Sequence, residues 1–146
     1  MGIALEQAEK AALVDEIPIG ATLVTSSGAI YRAHNLTETE GTPLSHAEKL
    51  AIDEALADTE SRYLRDAVLF TTLEPCPMCA GAIWLAKVGK VYFGAYDKGA
   101  GAAGSMFNIL PNLNLNHRPE VYGGIREDEC ASLLKDFFRN KRDSQG

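Results

Sequence analysis

Four residues in two short stretches could do chemistry together: His46 and Glu48 in His46-Ala47-Glu48, and Cys76 and Cys79 in Pro75-Cys76-Pro77-Met78-Cys79. Cys76 and Cys79 stand three residues apart, so on a helix both thiols share one face of a single turn. Each stretch falls where a helix is predicted to start. At a helix N-terminus, free N–H groups and the helix dipole favour thiolate over thiol. Two thiolates and one imidazole make three of the four ligands that zinc takes, and a site with three protein ligands keeps its fourth position for water. Zinc lowers the pKa of such a water from about 16 to roughly 7, giving hydroxide at neutral pH. Glu48 lies two residues from His46. It can reach that water without joining the coordination shell, take its proton and pass it on.

Other uses of these residues are possible. A Cys-x-x-Cys pair alone also fits a redox centre; the His-x-Glu half and the preceding Pro75 count against it. A closed structural zinc site needs a fourth ligand, from His34, His117 or Cys130. Cys130 lies among apolar residues of a predicted helix and is expected to serve packing. Three cysteines, two of them close together, do not form a disulfide framework; in a reducing compartment that spacing favours metal or redox chemistry.

The elements that must position these groups follow from pattern. Residues 3–14 read as an amphipathic helix, which Pro18 prevents from continuing. Ile19 to Thr25 and Ala29 to Ala33 read as a hairpin joined by Ser26-Ser27-Gly28. Ser45 and Glu48 have the spacing of a capping box, opening a helix that runs to about Asp58. Asp66 to Thr72 reads as a buried strand. A second helix begins between Pro75 and Pro77 and reaches about Lys87. Val91 to Ala95 is a further strand, Gly99 to Gly104 a flexible loop, and Glu120 to Gly123 a short fifth strand. Ile125 to Lys141 reads as a final amphipathic helix, and the tail from about Arg142 to Gly146 as disordered. This order predicts a three-layer α/β/α sandwich with a central mixed five-stranded sheet, antiparallel in its first pair and parallel where helices intervene.

The chain has 146 residues, 46% of them hydrophobic, enough for one core and too few for two ordinary domains, so residues 1–146 are expected to form one domain. No apolar run reaches the roughly eighteen residues of a membrane span. Met1 to Glu6 lacks a basic region followed by an apolar run. No signal peptide is expected, and a cytoplasmic protein is. The net charge of −6 is unevenly spread: residues 1–60 hold 3 basic and 11 acidic residues, and residues 61–146 hold 11 and 9. The negative total counts against a nucleic-acid partner, and the split by itself fits chance surface variation; a phosphate-bearing partner would meet the C-terminal half.

His-x-Glu followed by Pro-Cys-x-x-Cys is the signature of zinc deaminases, which replace a ring amine by oxygen and release ammonia. The chain also resembles the bacterial tRNA-specific adenosine deaminases of the cytidine-deaminase-like superfamily, from Ile17 to Arg142. Besides the metal motif, the resemblance rests on Ile17-Pro18-Ile19-Gly20, Ala33-His34-Asn35-Leu36 and Thr72-Leu73-Glu74-Pro75. It continues through Gly101-Ala102-Ala103-Gly104-Ser105, Asn116-His117-Arg118 and Phe137-Phe138-Arg139. It departs from the usual pattern at Tyr96, where an arginine is often found, at Lys98-Gly99-Ala100 and at Gly41 to Ser45.

The resemblance implies hydrolysis of adenosine to inosine at the wobble position of a tRNA anticodon, with one zinc per subunit, in a homodimer that binds the anticodon stem-loop. It implies a catalytic Glu48, metal ligands His46, Cys76 and Cys79, and substrate-binding positions at Asn35, Pro75, Asp97, Phe138 and Arg139. Asn35 also fits a turn after a strand, and Phe137 and Phe138 also fit a helix-face core. Two alternatives stay open: a deaminase of a free nucleobase or nucleoside, of guanine or cytosine type, and an inert nucleic-acid-binding or partner subunit. His117 has no assigned role.

Overall fold

The computed structural model describes residues 1–145. Along the chain they form α1 (Gly2–Leu13), β1 (Gly20–Val24), β2 (Ile30–His34), α2 (Thr37–Glu40), α3 (Ala47–Asp58), β3 (Val68–Leu73), α4 (Pro77–Ala86), β4 (Lys90–Ala95), β5 (Glu120–Tyr122) and α5 (Glu127–Gln145). The sheet order is β2-β1-β3-β4-β5. The β1–β2 and β1–β3 pairs are antiparallel, whereas β3–β4 and β4–β5 are parallel. This is the expected mixed five-stranded sheet.

Alternation in the strands divides the side chains between two helical layers. Ala21, Leu23, Leu69 and Val91 face α3 and α4, whose Ala51, Ile52, Ala55, Ala80 and Ile83 complete the larger core. On the other face, Leu5 of α1 and Cys130 of α5 pack around Ala95. Small residues let α1 lie close to the sheet: Ala4, Ala8 and Ala11 are fully buried. Cys130 is equally tight, since a Cβ added at Gly94 would lie 2.2 Å from its Sγ. Packing is therefore its role, as its apolar neighbours predict.

The site depends on where parallel β3 and β4 end. In open α/β sheets, ligands gather beyond the carboxyl ends of the strands. β3 ends at Leu73, paired with Ala95 at the end of β4, and Glu74 N–H donates to the Ala95 carbonyl at 2.9 Å. The chain then runs through Pro75 into Cys76, the N-cap of α4, with proline in the first turn, where its missing N–H costs nothing.

Local details depart from the sequence expectations. The capping box does not form. α3 opens at Ala47 with His46 as N-cap and no side-chain cap bond, and the Ser45 hydroxyl donates to Glu40 instead. Glu48 is buried rather than folded back on the helix end. An unexpected short helix, α2, fills residues 37–40, ending at Gly41 with φ 65°. The Gly99–Gly104 segment is not a loose loop: Gly101 and Ala102 are buried and its amides are hydrogen-bonded. Residues 142–145 continue α5 instead of forming a disordered tail, while Gly146 lies outside the described residues. As part of α5, these polar residues satisfy their backbone groups within the helix, where a free tail would leave them to water.

Candidate active site

The two helix N-termini meet. His46, at the start of α3, and Cys76 and Cys79, in the first turn of α4, bring their donor atoms within 4.8 Å of one another. His46 Nδ1 lies 3.4 Å from Cys76 Sγ and 3.6 Å from Cys79 Sγ. A tetrahedral zinc, with Zn–S of about 2.3 Å and Zn–N of about 2.0 Å, sets sulfur and nitrogen about 3.5 Å apart. The three side chains thus fit one zinc ion in chemistry and in spacing. Among the described residues they are the only such group of three or more metal-binding side chains. His34 bonds the Asn35 carbonyl at 3.0 Å, His117 Nε2 lies 2.8 Å from the Val88 carbonyl, and Cys130 packs under Gly94. None of the three possible fourth ligands joins the cluster.

The electrostatics suit metal binding. With Cys79 donating to it, the Cys76 thiol is pulled down to about 4, against the burial that opposes ionisation; His46 helps. The same bond, with burial, pushes the Cys79 thiol up. The His46 imidazole is raised by its bond to Cys76, with nearby Glu48 and the Pro43 carbonyl adding to the effect. Glu48 is 4% exposed. Burial pushes its carboxyl up to about 7, although its own backbone N–H and the charge of His46 pull the other way. A buried carboxyl beside three metal-binding groups can exchange protons with a water held there.

The remaining expected site residues divide. Asn35 is buried, and its Nδ2 donates to Thr37 Oγ1 at 3.1 Å and, at 3.5 Å, to Glu16 Oε1. Leu36 N–H bonds the Ser45 carbonyl at 3.0 Å, which ties the Asn35 segment to the residue before His46. Pro75 is buried, and its carbonyl accepts the Ala102 N–H at 2.7 Å. Asp97 closes a tight turn, with Oδ1 accepting from Gly99 N–H at 3.0 Å and Ala100 N–H at 3.2 Å. Phe138 and Arg139 lie on the distant α5. Phe138 is 43% exposed and edge-on to Phe137, with centroids 5.4 Å apart. Arg139 pairs with Asp136 on its own helix at 2.6 Å. His117 and Asn116 fasten the loop before β5, the latter accepting the Trp84 indole N–H at 2.9 Å.

Two buried carboxylates escape a reading by motif. Glu16 accepts the N–H groups of Glu38 at 3.0 Å and Thr39 at 2.6 Å, so it anchors α2 beside Asn35. Glu74 gathers four donors from the 97–105 segment. Glu74 stands in the stretch Thr72-Leu73-Glu74-Pro75, between a buried strand and a proline, and Glu16 stands two residues before Pro18; neither position carries a metal or catalytic motif.

Comparison with known proteins agrees with this geometry. Residues 1–95 match the family model for the cytidine and deoxycytidylate deaminase zinc-binding region. The chain is 48% identical over 139 residues to the tRNA-specific adenosine deaminase of Bacillus subtilis, covering 95% of this chain and 86% of that one. It superimposes with a TM-score of 0.86 and 38% identity on a structure from a study of A-to-I editing by tRNA:A34 deaminases at the wobble position of transfer RNA. That alignment covers 92% of this chain and 97% of the other. The guanine deaminase of Bacillus subtilis is similar over less of the fold, with a TM-score of 0.60 and 35% identity, covering 73% of this chain and 67% of the other.

Proposed function

Because this chain belongs to the tRNA-specific adenosine deaminases of the cytidine and deoxycytidylate deaminase family, we propose that it hydrolyses adenosine to inosine at the wobble position of a tRNA anticodon. The observation that carries this reading is the joining of His46, Cys76, Cys79 and buried Glu48 at two helix ends, in a chain similar over 95% of its length to a tRNA-specific adenosine deaminase. Identity is higher to the tRNA-specific adenosine deaminase, 48% over 95% of this chain, than to the guanine deaminase of Bacillus subtilis, 35% over 73%, which favours the tRNA reading over the free-base one. A buried, correctly placed Glu48 also speaks against an inert subunit.

His46, Cys76 and Cys79 would hold the zinc. When bound, it supplies Lewis acidity that activates water near neutral pH. Glu48 does the proton work. Its carboxylate accepts a proton from the attacking water and delivers it to the ring nitrogen beside C6; it then takes the proton of the hydroxyl left on C6 and gives it to the departing amine. Water oxygen bonds to C6, the C6–N bond breaks, and ammonia leaves. Burial of Glu48 keeps bulk water from competing for these protons. The target base must leave the anticodon stack to reach this depth.

Asn35 is suited to bind the purine. Its side-chain nitrogen is already used by Thr37 and Glu16, so its carbonyl oxygen is directed by a fixed amide. Pro75 forms the wall beside Cys76. Asp97 lies at the rim. Phe138 lines a groove of about 610 Å3 with Ile17, Thr39 and Phe137, and Glu16 links Thr39 to the Asn35 segment. That groove offers a flanking base an aromatic face, and Arg139 offers the backbone a charge. A single deaminase domain, homodimeric and cytoplasmic, completes the reading. No described helix is long and apolar enough to cross a membrane.

The test is incubation with an anticodon stem-loop carrying a wobble adenosine and, separately, with free adenine, guanine, cytosine and their nucleosides. Inosine in the stem-loop is the expected result. Ammonia released only from a free base or nucleoside would overturn it.

A further inference from the structure

The segment from Asp97 to Ser105 is poor in side chains that could pack. Between Asp97 and Ser105 it reads Lys-Gly-Ala-Gly-Ala-Ala-Gly, so apart from Lys98 it carries only glycine and alanine, and it forms no helix or strand. Such a segment has much conformational entropy to lose. Yet it is folded tightly against the stretch that carries the metal-binding cysteines, and one buried side chain gathers four of its hydrogen bonds. Glu74 is 2% exposed. Its Oε1 accepts Asp97 N–H at 3.1 Å and the Ser105 hydroxyl at 2.5 Å, and its Oε2 accepts Ala103 N–H at 3.0 Å and Ser105 N–H at 3.2 Å. A carboxylate is an acceptor only, so four donors satisfy both oxygens without conflict.

The backbone is shaped to admit this carboxylate. A Cβ at Gly101 would lie 2.4 Å from Glu74 Cδ and 2.5 Å from the Asp97 carbonyl oxygen, so only glycine lets the segment close around it. The closed segment then gives Ala102 N–H to the Pro75 carbonyl, one residue before Cys76. Glu74 therefore links two places: the wall next to the metal ligands and the rim where Asp97 stands. Its four side-chain bonds all go to this segment, so the carboxylate holds backbone in place and takes no part in the proton transfers assigned to Glu48.

We propose that Glu74 is a positioning residue for substrate capture, holding the 97–105 segment at the height needed to receive the RNA. The proposal rests on the tRNA reading above. Because the chemistry sits on α3 and α4, releasing the segment weakens binding and spares the bond-making step.

Glu74→Gln tests it. The amide places N–H groups against N–H donors while keeping size and shape. Zinc content is expected to stay at the wild-type level and kcat within about threefold, while KM for the stem-loop rises at least about tenfold. Hydrogen exchange should quicken at the amides of Asp97, Ala103 and Ser105 and stay slow in α3 and α4. Ser105→Ala removes one side-chain donor of the four and should raise KM by about two- to threefold, with zinc unchanged. An unchanged KM in Glu74→Gln, or loss of zinc together with kcat, would overturn the proposal. Should Glu74→Gln not fold, an unchanged KM in Ser105→Ala would overturn it. If the wild-type protein leaves the stem-loop untouched, the tRNA reading fails. Slow exchange in the variant's 97–105 amides would then separately rule out the brace.

Discussion

The pocket floor and the pocket rim are built by different rules. The floor consists of His46, Glu48, Cys76 and Cys79, from two helix first turns whose geometry the chain sets locally. Its side chains are buried or half-buried, and each shifts the protonation of its neighbours. The proposed rim takes Asp97 from the loop after β4, Asn35 from just after β2, and Phe138 and Arg139 from α5. Its members at 97, 138 and 139 are half-buried or exposed, and Arg139 is paired with Asp136 of its own helix. The contrast shows how such an enzyme can keep one chemistry while its substrate changes. Floor residues contact one another, whereas Phe138 meets Phe137 and Arg139 pairs with Asp136 on their own helix. The departures at Tyr96 and Lys98-Gly99-Ala100 lie on the rim side of that division.

Substitutions can break this contrast, beginning with the floor. Cys79→Ala should abolish zinc binding and cut deamination by at least about 10,000-fold; metal analysis beside a stem-loop assay would measure both. Retained zinc in that variant would mean that the ligand set is wrong. Glu48→Ala should keep its zinc and lose about a hundred- to ten-thousand-fold in kcat. Metal loss there would make Glu48 a ligand and cancel its role in proton transfer.

The rim should respond more mildly and in a different parameter. Arg139→Ala is expected to raise KM by roughly tenfold at unchanged kcat and zinc content, and to reduce the salt dependence of RNA binding by about 0.7 in logarithmic slope. If binding at several salt concentrations matches the wild type, α5 is not part of the RNA surface. The smallest effect belongs to a residue in neither region. Cys130→Ser should keep zinc and turnover and lose about 1–2 kcal/mol of stability in a urea melt, because a hydroxyl replaces a thiol packed against Gly94. A metal-free Cys130→Ser protein would restore the closed structural site as an explanation.

The division between floor and rim also separates what could be read in the chain from what could not. The strands and main helices were legible within a few residues, because period and punctuation report burial directly. Ser45 misled. Its spacing to Glu48 matches a capping box, yet its hydroxyl turns to Glu40, supplied by a short helix that no apolar pattern announces. Gly99 to Gly104 misled in the same way, since composition alone makes a glycine-alanine run look loose. The acceptor that orders it, Glu74, lies more than twenty residues earlier.

The sequence by itself determined the chemistry. Cys76 and Cys79 share a helical turn, His46 and Glu48 stand two residues apart, and each set begins a helix; such short-range relations hold wherever the segment folds. Only the tertiary structure decided that two further acids, Glu16 and Glu74, are buried and hold backbone. Glu16, Glu48 and Glu74 are alike as residue types, and all three are buried. Glu48 faces the metal-binding cluster, while Glu16 and Glu74 face N–H groups brought from more than twenty residues away. A carboxylate's role depends on the donors that surround it, and here those donors arrive only once the sheet and its loops have closed.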